Sequence, residues 1–249
     1  MLHAVWHLDH QRKVWNPRFL TWVLTSLLRT MIFLATKVII LPWLGSRKEA
    51  AMLLTIFFHK GCIKSRFLRS ALRVMDWELR EADAADPKYH SELIQLKSSA
   101  GAGTTPIIPA IYTTEAYSHE LYPMIEYLNE RSPDGMYPAD LPTRLFARTL
   151  IHRVLRSLSA LWPAYQETSD PNPLLAYYDE IEELVVDVVR NRDSWRVLEG
   201  RPTFLEMLFF AVLVEIAKHR PITNKTIGPW YKELASDPRL QPLILEAAA

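Results

Sequence analysis

The sequence has a single cysteine, Cys62, among its 249 residues. No internal disulfide can form, and a reducing compartment such as the cytosol or an organelle matrix fits better than a secreted framework. The chain also lacks a charge excess: 29 basic against 28 acidic residues leave +1. No overall field draws it to nucleic acid or to an acidic surface, so no nucleic-acid partner is expected. It contains no repeat of fixed period, no Walker loop, no dinucleotide fingerprint and no zinc-ligand spacing. His3, His7 and His10 share one face, but beside Asp9 they read as exposed polar residues, and no metal site is expected. What is present is a chain 49% hydrophobic and 23% charged, able to bury one large or two modest cores.

The first fifty residues differ from the rest. A basic start, RKVWNPR (Arg12 to Arg18), leads into residues 19 to 41, which are almost wholly good hydrophobic formers broken by Arg29 and Lys37. As a helix that run would be about 34 Å long, enough to cross a bilayer core. A cation near the bilayer centre costs about 2.5–3.5 kcal/mol. Arg29 and Lys37 lie about 80° apart around a helix and can share one polar stripe. The pattern suits a helix that packs against partner proteins in a membrane or lies in its surface; a buried core helix is the alternative. Trp22 and Trp43 stand where interfacial aromatics stand, and Pro42 with Gly45 ends the run. Asp9 is the only acid before Glu49, as in organelle-targeting segments.

From residue 52 the punctuation changes. MLLTIFF (52 to 58) is a short apolar run that reads as a buried strand, HKGC as a turn, and IKSRFLRSALRVM as a helix with Ile63, Phe67, Leu68, Leu72 and Met75 on one face. WELREAD follows as a strand, PKYHSELIQL as a helix, GAGTTPIIPAIY as a loop and strand, and MIEYLNERSP as a helix. The order is β-α-β-α-β-β-α. Beyond it the chain is helical. Apolar spacing marks residues 142–162 and 173–190, and Thr203 with Glu206 makes a capping box ahead of the apolar run Met207 to Val214.

This arrangement resembles the glutathione transferase family: a thioredoxin-like domain followed by an all-helical one. HKGCIKSRFLRSAL resembles the turn in which Cys or Ser opens that family's first helix, TTP (Thr104 to Pro106) its cis-proline loop, and EYLNERSPDGMYPAD its interdomain linker. IGPWY (Ile227 to Tyr231) is similar to membrane-associated prostaglandin E synthases, and the chain is nearest in flavour to these and to omega-type members. Those synthases carry Cys-x-x-Cys, whereas this chain has Cys-x-x-Ser, Cys62 to Ser65. The implied architecture is an α+β thioredoxin-like domain (51–134) and an all-α transferase C-terminal domain (135–249), behind an N-terminal anchor or interface helix (1–50).

The resemblance makes Cys62 the candidate nucleophile. Amides at a helix start and the neighbouring Lys60, Lys64 and Arg66 would favour a thiolate, and with Ser65 in place of a second cysteine the chemistry left is a mixed disulfide with an outside thiol such as glutathione. A buried structural cysteine is the other reading. Thr105 and Pro106 are the implied cis pair that turns backbone toward the thiol. The family grips the γ-glutamyl carboxylate with an acid–serine pair at a helix start; here the pair is Glu120-Leu121, and leucine offers no hydroxyl. The lost charge-assisted bond is worth about 1.5–3 kcal/mol, so the cofactor expectation is none, or glutathione held weakly. His90, His119, His152 and His219 read as isolated, and Glu180, Glu182 and Glu183 as a solvated face.

Two functions follow from these expectations. One is an accessory or scaffold subunit of a membrane assembly, with residues 17–44 contacting the membrane and protein subunits. Its natural home is a mitochondrial inner-membrane complex, with a cytosol-facing membrane as the second placement and a transferase-type dimer as a further option. The other is a membrane-anchored, glutathione-dependent thiol transferase or isomerase that uses Cys62.

Overall fold

A computed structural model of the chain describes residues 53–75, 77–99, 108–114, 116–132, 135–195 and 201–248. The expected N-terminal helix lies outside these residues, as do His3, His7 and His10. Among the described residues no helix is long and apolar enough to cross a membrane.

The run LTIFF forms β1 (Leu54–Phe58), buried at every position. A strand with apolar residues on both faces needs cover on both, which is why this one lacks polar alternation. It sits inside a four-stranded sheet of order β2-β1-β3-β4, where β2 is Leu79–Asp83, β3 Ala110–Tyr112 and β4 Tyr117–Ser118. β2 runs parallel to β1, Leu54 beside Leu79, and β3 runs antiparallel to it, Ile56 beside Ile111. β4 closes the other edge against β3. The parallel crossover is helix α1 (Ile63–Val74). A 3-10 turn (Pro87–Tyr89) and α2 (His90–Ser99) follow β2, and α3 (Leu121–Arg131) follows β4. The observed order matches the expected β-α-β-α-β-β-α.

The sheet's faces divide by residue parity. Leu54, Ile56 and Phe58 enter the main core with Ile63, Phe67 and Leu68 of α1 and Met124 and Ile125 of α3. Phe57 points the other way, into a smaller cluster with Ala82, Ala110 and Leu93 of α2. The main core does not stop at the sheet. It continues through α4 (Leu141–Thr168), α5 (Asn172–Arg190), α7 (Phe204–Ile216), α8 (Ile227–Ala235) and α9 (Gln241–Ala248), with a short α6 (Arg192–Trp195) between α5 and α7. The described residues from Leu53 onward therefore belong to one compact unit.

Helix α7 is the centre of the helical half and is buried along its whole length. Both bonds of the capping box are made: Glu206 N–H donates to Thr203 Oγ1 (3.3 Å) and Thr203 N–H donates to Glu206 Oε2 (2.8 Å). A helix start buried this deeply has no water to satisfy its first amides, so side chains must do it. Phe204 N–H also donates to Met136 O in the linker. That linker is held by Asn129, whose Oδ1 accepts from the N–H groups of Met136 (2.9 Å) and Tyr137 (3.2 Å). Gly135 permits this approach: its φ is +61°, and a Cβ there would stand 2.8 Å from Asn129 Oδ1.

Helix α4 runs further than the sequence pattern indicates. Proline ends most helices because its nitrogen has no proton to donate, yet α4 passes through Pro163 to Thr168. Packing holds the extra turns: Trp162 is buried against Tyr165, with ring centroids 5.0 Å apart, and Tyr165 donates a 2.7 Å hydrogen bond to Glu215 of α7.

Glu215 belongs to the main polar contact between the halves. Arg66 on α1 donates to Glu215 Oε2 (2.9 Å) and to Ala211 O (3.3 Å), and both charged side chains are about as buried as the surrounding leucines. Lys218 also reaches Glu215 at 3.0 Å. One turn along α1, Arg69 lies over the Phe58 ring and bridges Glu81 of β2 to Glu246 of α9. Burial alone would push the Glu215 carboxyl up, but Arg66, the Tyr165 hydroxyl and Lys218 more than offset it and hold it below the ordinary range. Glu81 behaves likewise, with Arg73 and Arg69 overcoming burial.

Removing one member of a buried ion pair strands the other charge, so Arg66→Met is expected to lower stability by about 3–5 kcal/mol in urea titrations, and Arg66→Met with Glu215→Leu to recover much of it. A depressed carboxyl stabilises the fold at all pH values above its unfolded pKa. The contribution is lost as pH falls from the ordinary value of 4.5 through the lower folded one. The urea midpoint should accordingly drop below about pH 4.5, and drop less in Glu215→Gln, which has no such carboxyl to protonate.

Candidate functional site

The turn between β1 and α1 is built on itself. Cys62 N–H donates to His59 O (3.0 Å) and Gly61 N–H to His59 Nδ1 (3.2 Å). Cys62 is the N-cap of α1, with extended backbone (φ −98°, ψ 118°) and no capping bond from its side chain. It is 8% exposed. Ser65, where a second cysteine of a redox pair would sit, is fully buried, and its hydroxyl accepts from His59 N–H (3.2 Å). The serine therefore closes the turn.

The three cations expected to surround Cys62 each have a partner. Lys60 pairs with Asp83 at 3.5 Å, Lys64 donates to Ser159 Oγ at 3.2 Å, and Arg66 is taken by Glu215. For Arg66 the physical reason is clear. A carboxylate buried near the end of the central helix demands a counter-charge, and a buried guanidinium demands a carboxylate. The sequence pattern, which shows only proximity along the chain, assigns that arginine to the thiol.

Thr105 and Pro106, the expected cis pair, lie outside the described residues. The cis peptide that the structure describes is Ile108–Pro109, three residues further on and directly before β3. Glu120 is the N-cap of α3, again without a capping bond; its carboxylate is 70% exposed and stands 3.5 Å from His119 Nε2. Glu120 N–H donates to Ser118 Oγ (3.2 Å). Leu121 begins α3 and packs its side chain against the main core.

These parts meet in a cleft of about 240 Å³. One wall is Lys64, Pro109 and the run His119 to Tyr122; the other is a stripe of α4 formed by His152, Leu155, Arg156 and Ser159. Cys62 is not among the described residues that line it. The Tyr122 hydroxyl donates to Arg148 O (2.9 Å), and the Tyr122 and His152 rings meet edge-on at 5.2 Å. Burial, reinforced by Glu126, pushes the Tyr122 hydroxyl up to about 12, so it stays protonated at physiological pH. With Lys64 and Arg156 on opposite walls, the cleft can attract an anion. At the start of α3 the cleft is lined by Leu121.

The structure thus brings Glu120, Leu121 and a cis-proline together on one cleft, and Cys62 is not part of its lining. The α4 stripe escapes a reading of single histidines, but His152, Arg156 and Ser159 fall at i, i+4 and i+7, one face of a helix, and that periodicity is the available signal. Among the described residues no group of His, Cys, Asp or Glu is placed to hold a metal ion.

No protein-family model matches the chain, and no curated protein matches its sequence. Solved structures do match its fold. The "unclassified 2" glutathione S-transferase of Bombyx mori superposes with a TM-score of 0.57 at 16% identity, covering 78% of this chain and 94% of that one. A Tau-class glutathione S-transferase from mango, Mangifera indica, gives 0.55 at 15% identity, covering 78% and 95%. The glutathione transferase Omega 3C of Trametes versicolor gives 0.53 at 10% identity, covering 76% and 88%. The fold is that of the glutathione transferases, a thioredoxin-like half joined to an all-helical one.

A hydroxyl at position 121 would add a hydrogen-bond donor to the cleft. Leu121→Ser is expected to bind glutathione about ten- to a hundredfold more tightly than the parent chain in calorimetric titration. Equal affinities would show that position 121 does not meet the ligand.

Proposed function

We propose that this chain is an accessory subunit of a membrane protein assembly, in which the transferase fold serves as a docking scaffold and the glutathione site is degenerate. The observation that carries the reading is Leu121: the first residue of α3 turns hydrocarbon into the cleft where a carboxylate-binding site needs a donor. Two further features support it. Cys62 is 8% exposed, and the cations beside it in sequence are committed to Asp83, Ser159 and Glu215. The first two turns of α4 also expose Leu141 (72%) and Leu145 (67%) on one stripe, with Phe146 half exposed beside them. Adjacent large apolar side chains left in water are a common mark of a protein-binding face. The basic, acid-poor first residues and the apolar run 19–41 support a mitochondrial inner-membrane home, with residues 17–44 meeting the membrane and neighbouring subunits.

A second reading has an observation of its own. Cys62 caps α1, whose N-terminal amides favour a thiolate, and Lys64 and Arg156 give the adjoining cleft a positive lining. That arrangement would serve a glutathione-dependent thiol transferase or isomerase.

The two readings separate on one preparation. Extracted in mild detergent, the full chain is expected to run in native mass measurement as part of a larger assembly, and Leu145→Asp to release it as a free chain. It is also expected to show no glutathione-dependent reduction of mixed disulfides. Recovery of the parent chain as a monomer would count against the assembly, and turnover abolished by Cys62→Ser would establish the enzyme instead.

A further inference from the structure

A second concavity shares no lining residue with the cleft at Leu121. It is a groove of about 380 Å³ where the end of α7 meets α8 and α9. Its walls are hydrocarbon from Val214, Ile244, Ala247 and neighbouring alanines, interrupted by two polar side chains, Lys218 and Tyr231.

The charge beneath the groove is unbalanced. Ala211, Val214 and Glu215 fall at i, i+3 and i+4 on α7 and make one stripe, and Lys218 follows in the turn just past the helix end. Arg66 reaches that stripe from below through Ala211 O and Glu215, and Lys218 reaches Glu215 from the groove side at 3.0 Å. One carboxylate is thus shared by two full cations, and the Tyr165 hydroxyl donates to it as well. The local sum is +1. Arg66 Nη2 is buried with no hydrogen-bond partner, an uncommon condition for a guanidinium that is 3% exposed. Burial pushes the Tyr231 hydroxyl up, and the charge of Arg66 offsets only part of that push.

We propose that this groove binds an aliphatic monocarboxylate, its acid group at Lys218 and the Tyr231 hydroxyl and its hydrocarbon chain along Val214, Ile244 and Ala247. A single negative charge matches the single uncompensated positive one, and a second would have no counterpart. The apolar walls account for the rest of the ligand, since they gain from covering methylenes and offer nothing to a polar chain. With Glu215 neutralised by Arg66, the ammonium of Lys218 is left as the uncompensated charge at the groove wall. The site stands independently of the scaffold reading, which concerns the other cleft.

The test uses the full chain with sodium octanoate and 1-octanol as probes, read by titration calorimetry. Octanoate is expected to bind at one site per chain and the neutral alcohol at least about tenfold more weakly, the usual worth of one bond to a charged group. Lys218→Met should raise the octanoate Kd about tenfold or more, while Ala247→Trp, which fills the groove from its wall, should abolish binding. Circular dichroism melting shows whether each variant is folded, and the comparison of octanoate with octanol on the parent chain needs no variant at all. Failure of octanoate to bind, equal affinity for the alcohol, or unchanged affinity in both variants would each overturn the assignment.

Discussion

The pairing of Arg66 with Glu215 is the constraint on which the rest of the molecule depends. Each charge sits where the neighbours are leucine, valine and phenylalanine, and taking either from water alone costs several kcal/mol. Neither residue is tolerable without the other, so α1 can pack on α7 in one rotation and one register. Ala211 O, Lys218 and Tyr165 complete the arrangement, and only Arg66 Nη2 is left over. Most of the stabilisation of this interface comes from apolar burial, at about 1.5–3 kcal/mol for each large side chain removed from water. The ion pair decides which burial occurs.

Consequences for the site follow from that rotation. With Arg66 facing α7, Lys64 comes round to face α4, where it meets Ser159. The cleft is therefore walled by one helix of each half, α3 and α4, and its electrostatics are set by Lys64 and Arg156 across it. The same helix that positions the thiol takes away the arginine that would have charged its surroundings. A shared fold does not by itself fix the chemistry of a cleft.

Much of this was legible along the chain. Six of the seven elements of the thioredoxin-like half follow from short runs separated by turn residues, the two-residue β4 (Tyr117–Ser118) being too short to leave a pattern, and LTIFF shows by its unbroken hydrophobicity that it is covered on both faces. The Thr203–Glu206 box marks the start of the central helix, and both of its bonds are present. Other features were not legible. Pro163 reads locally as a stop, but Trp162 packs on Tyr165, whose hydroxyl is held by Glu215 fifty residues away, and this carries α4 past it. His152 looks isolated until Arg156 and Ser159 are seen on its face, with Lys64 arriving from another helix.

The sequence by itself determined the order of elements, the helix caps and the leucine at position 121, because each depends on residues within a turn or two of one another. Only the tertiary structure decided which charges meet. Arg66, Arg69 and Glu215 are separated by up to 149 positions along the chain, and a buried ion pair leaves no local pattern of periodicity, since it is selected by the cost of an unpaired charge once the helices have already come together.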